Sequence, residues 1–417
     1  MWFGRDDADL NLARTPLAWM ISVAASKKLG QFTESVIREM TRLSEQYGAI
    51  NLSQGMPDFI PSPKLVEAAV EAIRRGSNQY SVTWGHRGLR EAISAKAKEY
   101  NRIDSDPEKN VTVTCGSTEA VASAIFGLTN PGDRIVVTDP FYENYVPDAI
   151  LASCELLYVP FKGRNLQLDE ESLKNVMTKH PKLFILNTPN NPTGRVLEPG
   201  QLKLIADLCE DEETIAVTDE IYEHILYDGK QHLSLGSIGN MHDKTVTVNG
   251  ASKTYSVTGW RVGWAIAERD LTNAIRKVHD YFTICAPAPL QEAIITALNF
   301  PSDYYERLAG AYDRKRRTTM EILEDAKLAY HRPEGAYYIL VDSPERFKDG
   351  LQFADFLLKK IGIGVLPAQA LYHDKALGER KIRIAFCKKD TTLHDVGRRF
   401  KKMSESAKET VPVKKKG

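Results

Sequence analysis

Residues 182–219 read KLFILNTPNNPTGRVLEPGQLKLIADLCEDEETIAVTD, in which two short apolar runs flank a segment of helix length. Runs such as KLFILN and TIAVTD, bounded by Pro, Asn, Gly and Asp, are typical of buried strands. Two strands that are joined through a helix usually lie parallel in one sheet. This stretch therefore predicts a strand–helix–strand unit.

The same alternation of short β-rich runs and longer helical patterns extends through the middle of the chain. Repeated β–α units predict a mostly parallel sheet covered by helices on both faces, which is a three-layer αβα arrangement of the α/β class. The other predicted strands are VTVTC (111–115), DRIVVTD (133–139), LLYVPF (156–161), TVTV (245–248) and VGWAIA (262–267).

The pattern changes near residue 301, where a long charged helical pattern leads into the runs YYILVD and KIRIAF. These features predict a second, smaller α+β domain. Apolar spacing between residues 30 and 50 is helical, and Thr33 and Glu34 resemble a helix start. We expect an N-terminal arm and helix (1–50) that packs with the small domain, a large domain (51–300) and a small domain (301–417).

Composition excludes several functional classes. The chain has 417 residues with 55 basic and 55 acidic side chains, so nothing points to a nucleic-acid-binding module. No apolar run is long enough to span a membrane, and the N-terminus lacks the pattern of a signal peptide. Five scattered cysteines argue against disulfides and favour a cytoplasmic protein, while nine histidines without ligand spacing predict no metal site.

Residues that directly follow the predicted strands are the candidate ligand-binding residues, because ligands of parallel sheets bind beyond the carboxyl ends of the strands. Gly116, Ser117 and Thr118 follow one strand and open a helix, an arrangement that suits a phosphate but is also an ordinary helix cap. Asp219 follows a very apolar strand, so its carboxylate needs a cationic or proton-donating partner.

Lys253 lies among small residues after another predicted strand, eight positions before Arg261. Burial and a neighbouring positive charge drive a lysine toward the neutral, nucleophilic amine. A phosphate cradle, a nucleophilic lysine, an acid and Tyr222 three residues after that acid together describe a site for pyridoxal 5′-phosphate (PLP). Each feature alone has a plain structural explanation, and only the combination points to the cofactor.

The chain resembles the class I/II aminotransferases of PLP fold type I, and within them the kynurenine/glutamine transaminase and bacterial aspartate aminotransferase branch. The resemblance covers nearly the whole chain and rests on ordered motifs. These are NLSQGMPDF, NQYSVTWG, NTPNNPTG, TDEIYEHILYDG, SKTYSVTGWRVGW and KIRIAFCKKD.

The resemblance implies a role for each matched residue around PLP. Lys253 would bind the cofactor as a Schiff base and carry a proton between the substrate Cα and the cofactor. Asp219 would pair with the ring nitrogen, and Tyr222 would bind the 3′ oxygen together with Asn191. Tyr142 would stack on the ring. The phosphate would be held by Ser117, Thr118, Ser252, Arg261 and, from the neighbouring subunit of a homodimer, Tyr80.

For the substrate, the resemblance implies that Arg383 and the backbone of Gly55 bind the α-carboxylate. The expected reaction is ping-pong transfer of an amino group between an L-amino acid and a 2-oxo acid. Because residues 279–291 contain no Lys or Arg, we expect a neutral or broad-range donor, such as methionine, glutamine, leucine or phenylalanine. A second cation from Arg38, Arg42, His86 or Arg87 would instead favour aspartate. A PLP-dependent lyase that eliminates a C–S bond is another alternative. A ligand-sensing regulator would need a DNA-binding module ahead of this fold, and we expect none, because the roughly 30 residues before Phe32 are too few and not basic.

Overall fold

The computed structural model describes residues 26–409, so part of the predicted N-terminal arm and the last eight residues lie outside it. The described residues form fourteen α-helices. These are α1 (Val36–Gln46), α2 (Pro63–Arg74), α3 (Arg87–Lys96), α4 (Ser117–Leu128), α5 (Tyr145–Leu151), α6 (Glu170–Met177), α7 (Pro199–Asp211), α8 (Ala251–Thr254), α9 (Arg269–Thr283), α10 (Ala288–Leu298), α11 (Ser302–Asp325), α12 (Gly350–Phe356), α13 (Lys375–Gly378) and α14 (Asp390–Glu409). Within this part of the chain, no helix is both long and apolar enough to cross a membrane.

Three sheets are built from short strands. The strands are β1 (Ile50–Asn51), β2 (Val111–Thr114), β3 (Arg134–Asp139), β4 (Glu155–Lys162), β5 (Gln167–Leu168), β6 (Leu183–Asn187), β7 (Ile215–Asp219), β8 (Thr245–Gly250), β9 (Gly263–Ile266), β10 (Tyr330–His331), β11 (Tyr338–Asp342), β12 (Ile363–Gly364), β13 (Leu366–Pro367) and β14 (Lys381–Ala385).

The largest sheet has eight strands in the order β2-β9-β8-β7-β6-β3-β4-β5. Strands β8, β7, β6, β3 and β4 run parallel, whereas β9 is antiparallel to both of its neighbours and β5 is antiparallel to β4. The prediction of a mostly parallel sheet is therefore confirmed. The parallel strands end on one edge, which brings the loops after β6, β7 and β8 together.

Helices cover both faces of this sheet, as the side chains of β6 illustrate. Leu183 and Ile185 belong to an apolar cluster with residues of α4, α5 and α9. Phe184 and Leu186, which point the other way because side chains alternate along a strand, join a cluster with residues of α6 and α7. Apolar residues at every position of the strand thus produce the predicted three layers.

The C-terminal part contains a four-stranded antiparallel sheet in the order β10-β11-β14-β13. Apolar residues of α11, α12 and α14 pack against it. The N-terminal strand β1 pairs in parallel with β12, opposite Ile363 and Gly364, so the segment after α1 is fixed to the C-terminal part. The predicted boundaries at residues 50 and 300 stay a prediction.

Helix α1 begins later than expected. Its N-cap is Ser35, whose hydroxyl accepts the N–H of Arg38 at 3.3 Å, rather than Thr33 or Glu34. Three successive residues can cap a helix here, and Glu34 instead binds Arg42. The buried side chains of Ile37 and Met40 hold α1 against the rest of the protein.

Candidate active site

A cavity of about 440 Å³ lies beyond the carboxyl ends of β6, β7 and β8. Every residue predicted for the site lines it except Tyr80. These residues are Gly55, Ser117, Thr118, Tyr142, Asn191, Asp219, Tyr222, Ser252, Lys253, Arg261 and Arg383. Residues that are up to 328 positions apart in sequence therefore share one cavity.

One end of the cavity has the features of an anion cradle. Ser117 and Thr118 open α4, so their backbone N–H groups are free to bind a ligand and lie at the positive end of the helix. Arg261 passes beneath the loop and donates to the carbonyl of Cys115 at 3.3 Å. A Cβ atom on Gly116 would collide with this guanidinium, and one on Gly263 would collide with the backbone of the loop. Glycine at position 116 therefore allows the guanidinium to approach, and glycine at position 263 allows the loop to lie against β9.

The carboxylate of Asp219 is buried at the end of β7. Its Oδ2 accepts the hydroxyl of Tyr145 at 2.7 Å, and its Oδ1 accepts the N–H of Ile221 at 3.3 Å. Burial raises the pKa of Asp219 to about 6, although the bond from Tyr145 opposes this rise. The acid thus has the proton-donating partner that its position requires, and a second, cationic partner would stabilise its charge further.

Lys253 lies in the short helix α8, and its Nζ donates to the carbonyl of Gly55 at 3.4 Å. Burial lowers its pKa to about 8, and the positive charges of Arg261 and Arg383 act in the same direction, while Cys387 and Asp219 oppose it. An amine with this pKa is substantially neutral near pH 8, whereas an ordinary lysine is almost fully charged there. Lys253 can therefore act as a nucleophile or accept a proton.

We expect this low pKa to be measurable in the cofactor-free protein. After reductive methylation with ¹³C-formaldehyde, one lysine resonance should titrate near pH 8, because burial disfavours the ammonium form. That resonance should be missing from the Lys253→Ala variant. A spectrum in which the Lys253 resonance titrates with the surface lysines, about two pH units higher, would show that the amine is not activated.

Arg383 is fully buried on β14. Its Nη1 donates to Oδ1 of Asn191 at 2.8 Å, its Nη2 donates to the carbonyl of Ser53, and its guanidinium lies over the ring of Tyr338. Its Nε has no hydrogen-bond partner among the described residues. A buried donor without a partner is costly, so this arginine is prepared to bind an anionic oxygen.

Several residues in or next to the cavity are not predicted from the sequence. Tyr145, which does not line the cavity, and Asn187, which does, support the predicted residues. Asn187 donates to the carbonyl of Asp219 at 2.8 Å and accepts the N–H of Asn191 at 2.6 Å. Tyr338 contacts the hydroxyl of Tyr222 at 3.0 Å. The need of a buried Asp219 for a proton donor was the only signal in the sequence for Tyr145. The other unpredicted lining residues include Ser35, Ile37, Gln54, Met56 and Glu143. Arg38, one of the four candidates for a second cation, also lines the cavity.

A buried polar network lies behind the loop that carries Asp219 and Tyr222. Glu220, Glu223 and His232 offer ligand atoms within 4.8 Å of one another. The ammonium of Lys96 contacts Glu223, and His232 Nε2 lies 2.7 Å from Glu220. The network thus contains a cation of its own, and Lys96, Glu220, Glu223 and His232 do not line the cavity.

Tyr80 does not line the cavity, and its side chain is 78% exposed. Val82, Tyr281, Phe282 and Ile284 are also exposed apolar side chains, and Tyr281 reaches 90%. The carbonyl of Thr83 lies 2.8 Å from Nε2 of His279 in α9, so the two segments that carry these side chains are adjacent. We call the surface formed by Tyr80, Val82, Tyr281, Phe282 and Ile284 the aromatic patch.

Comparison with known proteins agrees with this geometry. Residues 47–399 match the family model described as aminotransferase class I and II. A probable N-succinyldiaminopimelate aminotransferase of Mycobacterium tuberculosis is 34% identical, with 91% of this chain and 98% of the relative covered. The methionine aminotransferase of Escherichia coli is 31% identical, with 90% and 97% covered. The solved structure of N-succinyldiaminopimelate aminotransferase from Mycobacterium tuberculosis has a TM-score of 0.88 at 33% identity, with 91% of this chain and all of that one covered.

Proposed function

The chain belongs to the class I and II aminotransferases, and on that basis we propose how its own residues transfer an amino group. Members of this family use PLP and act on amino acids and 2-oxo acids. The observation that carries the proposal is a lysine of low pKa in the same cavity as a buried aspartate and a buried arginine. The expected substrate is a neutral amino acid, or a broad range of them.

The residues of the cavity fit PLP. The α4 N-terminus, Ser252 and Arg261 offer donors and positive charge for its phosphate, and Gly116 and Gly263 keep the cradle open. Asp219 would face the ring nitrogen, Tyr142 would stack on the ring, and Asn191 and Tyr222 would bind its 3′ oxygen. When bound, PLP supplies a carbonyl carbon for the amino group and a ring that accepts electrons.

Lys253 moves the proton in this mechanism. Its amine, with a pKa near 8, removes the proton from the substrate Cα and delivers it to the carbon that has received the nitrogen. The carbonyl of Gly55, 3.4 Å from Nζ, helps to orient the amine. The charge of Asp219 keeps a proton on the ring nitrogen, and the hydroxyl of Tyr145 fixes the direction of the carboxylate.

Arg383 orients the substrate. Its fixed guanidinium binds the α-carboxylate, and Gly55 contributes its backbone. A bidentate pair of this kind, worth about 1.5–3 kcal/mol, would place the substrate Cα beside Lys253. The side-chain part of the cavity includes Ile37 and Met56, which suit apolar groups.

We propose a homodimer in which the aromatic patch contacts a second copy. Exposed aromatic side chains on two adjacent segments are typical of an interface. Tyr80 would then reach the phosphate site of the partner subunit. Because all five cysteines are unpaired, we also propose a reducing, cytoplasmic location.

The Tyr80→Ala variant tests this sharing of sites. We expect it to lose PLP on dialysis faster than the parent, because a phosphate ligand is missing. Refolding it together with Lys253→Ala should restore retention and activity at one site of each heterodimer, the only site with both residues. Tyr47→Ala removes an exposed tyrosine that does not line the cavity and serves as the control. A fully active monomer, or a mixture without any recovery, would refute the shared site.

A panel of amino donors with one 2-oxo acid acceptor tests the function. We expect two products in equal molar amounts: the amino acid formed from the acceptor and the 2-oxo acid formed from the donor. Release of ammonia from a cysteine conjugate without any acceptor would instead favour the lyase. A kcat/KM for aspartate tenfold above that of every neutral donor would overturn the expected substrate range and favour an aspartate aminotransferase.

A further inference from the structure

A buried histidine contacts the helix that opens the phosphate cradle, and the proposed function gives it no role. His279 in α9 is fully buried and does not line the cavity. Its Nδ1 lies 2.6 Å from Oε1 of Glu119, and its Nε2 lies 2.8 Å from the carbonyl of Thr83. The hydroxyl of Thr283 also donates to Oε1 of Glu119, at 2.9 Å. The imidazole therefore connects α4 with the segment that carries Tyr80.

The two partners of His279 fix its protonation. A carbonyl oxygen and an ionised carboxylate only accept hydrogen bonds, so both ring nitrogens must carry a proton while Glu119 is charged. The imidazolium and the carboxylate then form a charge-assisted pair. Burial lowers the pKa of His279, but its contacts with Glu119 and with the carbonyl of Thr83 outweigh burial, so the pKa is raised above its ordinary value.

The other groups around His279 are compatible with this charge. Asp280, its neighbour on α9, is an acid that also raises its pKa. The guanidinium of Arg276, one turn earlier in α9, donates to a carbonyl of β2. Strand β2, which also packs against α9, consists of Val and Thr. The thiol of Cys115 lies near Glu119, and burial raises its pKa, so it stays uncharged. Glu119 is thus the acid that binds the imidazolium directly.

Glu119 occupies a position that is unfavourable for a phosphate site. It lies in the first turn of α4, two residues after Ser117, and its Oε2 accepts the N–H of Cys115. The carbonyl of the same Cys115 accepts the guanidinium of Arg261 at 3.3 Å. A carboxylate so close to the cradle repels a phosphate unless a cation neutralises it. His279 supplies that cation from the side of the acid that faces α9.

We propose that His279 and Glu119 are positioning residues for the cofactor phosphate. The inference rests on the proposed function, because it assumes that the cradle binds PLP. Glu119 holds the loop before α4 through the N–H of Cys115, while the imidazolium cancels the charge of the acid and fixes the carbonyl of Thr83. When the pH rises through the raised pKa of His279, the imidazole loses a proton and Glu119 becomes an uncompensated anion. Phosphate binding then weakens.

The rate of PLP release from the holoenzyme tests this pair. Release is followed by absorbance between about pH 6 and about pH 9, the range in which a histidine of raised pKa titrates. In the parent we expect release to accelerate as the pH rises. In His279→Gln we expect release to be about tenfold faster at the lower pH and to depend less on pH, because Glu119 is uncompensated throughout. The double variant His279→Gln/Glu119→Gln should return to within about threefold of the parent, whereas a merely structural role would add the two losses.

His242→Gln is the matched control. Nε2 of His242 also faces a carbonyl, that of Asp104, at 2.8 Å, and its Nδ1 faces Asp243 at 3.2 Å. Burial lowers its pKa, but these contacts raise the pKa overall, and His242 does not line the cavity. We expect parent-like release of PLP. An unchanged rate in His279→Gln, an equal effect in His242→Gln, or a double variant no better than His279→Gln would overturn the proposal.

Binding of inorganic phosphate to the cofactor-free protein separates this inference from the proposed function. By titration calorimetry at about pH 7, we expect the parent to bind phosphate about tenfold more tightly than His279→Gln, and the double variant to match the parent. If the parent bound phosphate in this way but took up no PLP, the proposed function would fail and the role of the pair would stand. If it took up PLP but His279→Gln changed neither measurement, only the pair would fail. A parent that bound neither phosphate nor PLP would overturn both.

Discussion

Replacement of Lys253 by alanine should slow the transamination half-reaction by several powers of ten, each of which corresponds to about 1.4 kcal/mol of activation free energy. The reason is that no other lysine lines the cavity in the described part of the chain, so no other amine can move the proton at the substrate Cα. The rate is measured by rapid mixing of the holoenzyme with an amino donor alone.

Lys375→Ala is a suitable control for this variant. Burial also lowers the pKa of Lys375, but this residue lies outside the cavity and donates to the carbonyls of Gln369 and Tyr372. We expect its half-reaction to stay within threefold of the parent. A Lys253→Ala protein that kept more than a tenth of the parent rate would contradict the role of the amine.

The second large effect concerns Asp219. In Asp219→Ala we expect PLP to remain bound, because the phosphate cradle and Lys253 are unchanged. Proton transfer should nevertheless slow by several powers of ten, because the buried anion that keeps the ring nitrogen protonated is missing. Stopped-flow absorbance separates binding from the proton-transfer step.

Asp148→Ala controls for the loss of a buried carboxylate. Burial raises the pKa of Asp148 to about 7, its Oδ2 has no hydrogen-bond partner among the described residues, and it does not line the cavity. Its activity should match that of the parent. Activity of Asp219→Ala within threefold of the parent would refute the role of the aspartate.

Much of the fold could be predicted because the strands of the parallel sheet are apolar on both faces. KLFILN and TIAVTD coincide with β6 and β7 to within one residue at each end. The start of α1 is harder to predict from the sequence, since Thr33, Glu34 and Ser35 can all cap a helix locally. In the structure Ser35 is the cap and Glu34 pairs with Arg42, an outcome that local sequence does not reveal.

The site followed from the same topology, because the carboxyl ends of parallel strands meet at one edge of the sheet. Site residues that lie on other elements are harder to predict from the sequence, because their place depends on how those elements pack. Tyr145 lies in α5, and its contact with Asp219 depends on how that helix packs. The sequence offers four candidates for a second cation, and the fold brings Arg38 to the cavity, while Arg42, His86 and Arg87 do not line it.

Reduction of the holoenzyme with sodium borohydride, followed by peptide mapping, identifies the lysine to which PLP is attached. We expect the pyridoxyl group on the peptide that contains Lys253, because this amine alone combines a low pKa with the phosphate cradle and Asp219 in one cavity of the described chain. A pyridoxyl group on any other lysine would contradict the assignment of the active site.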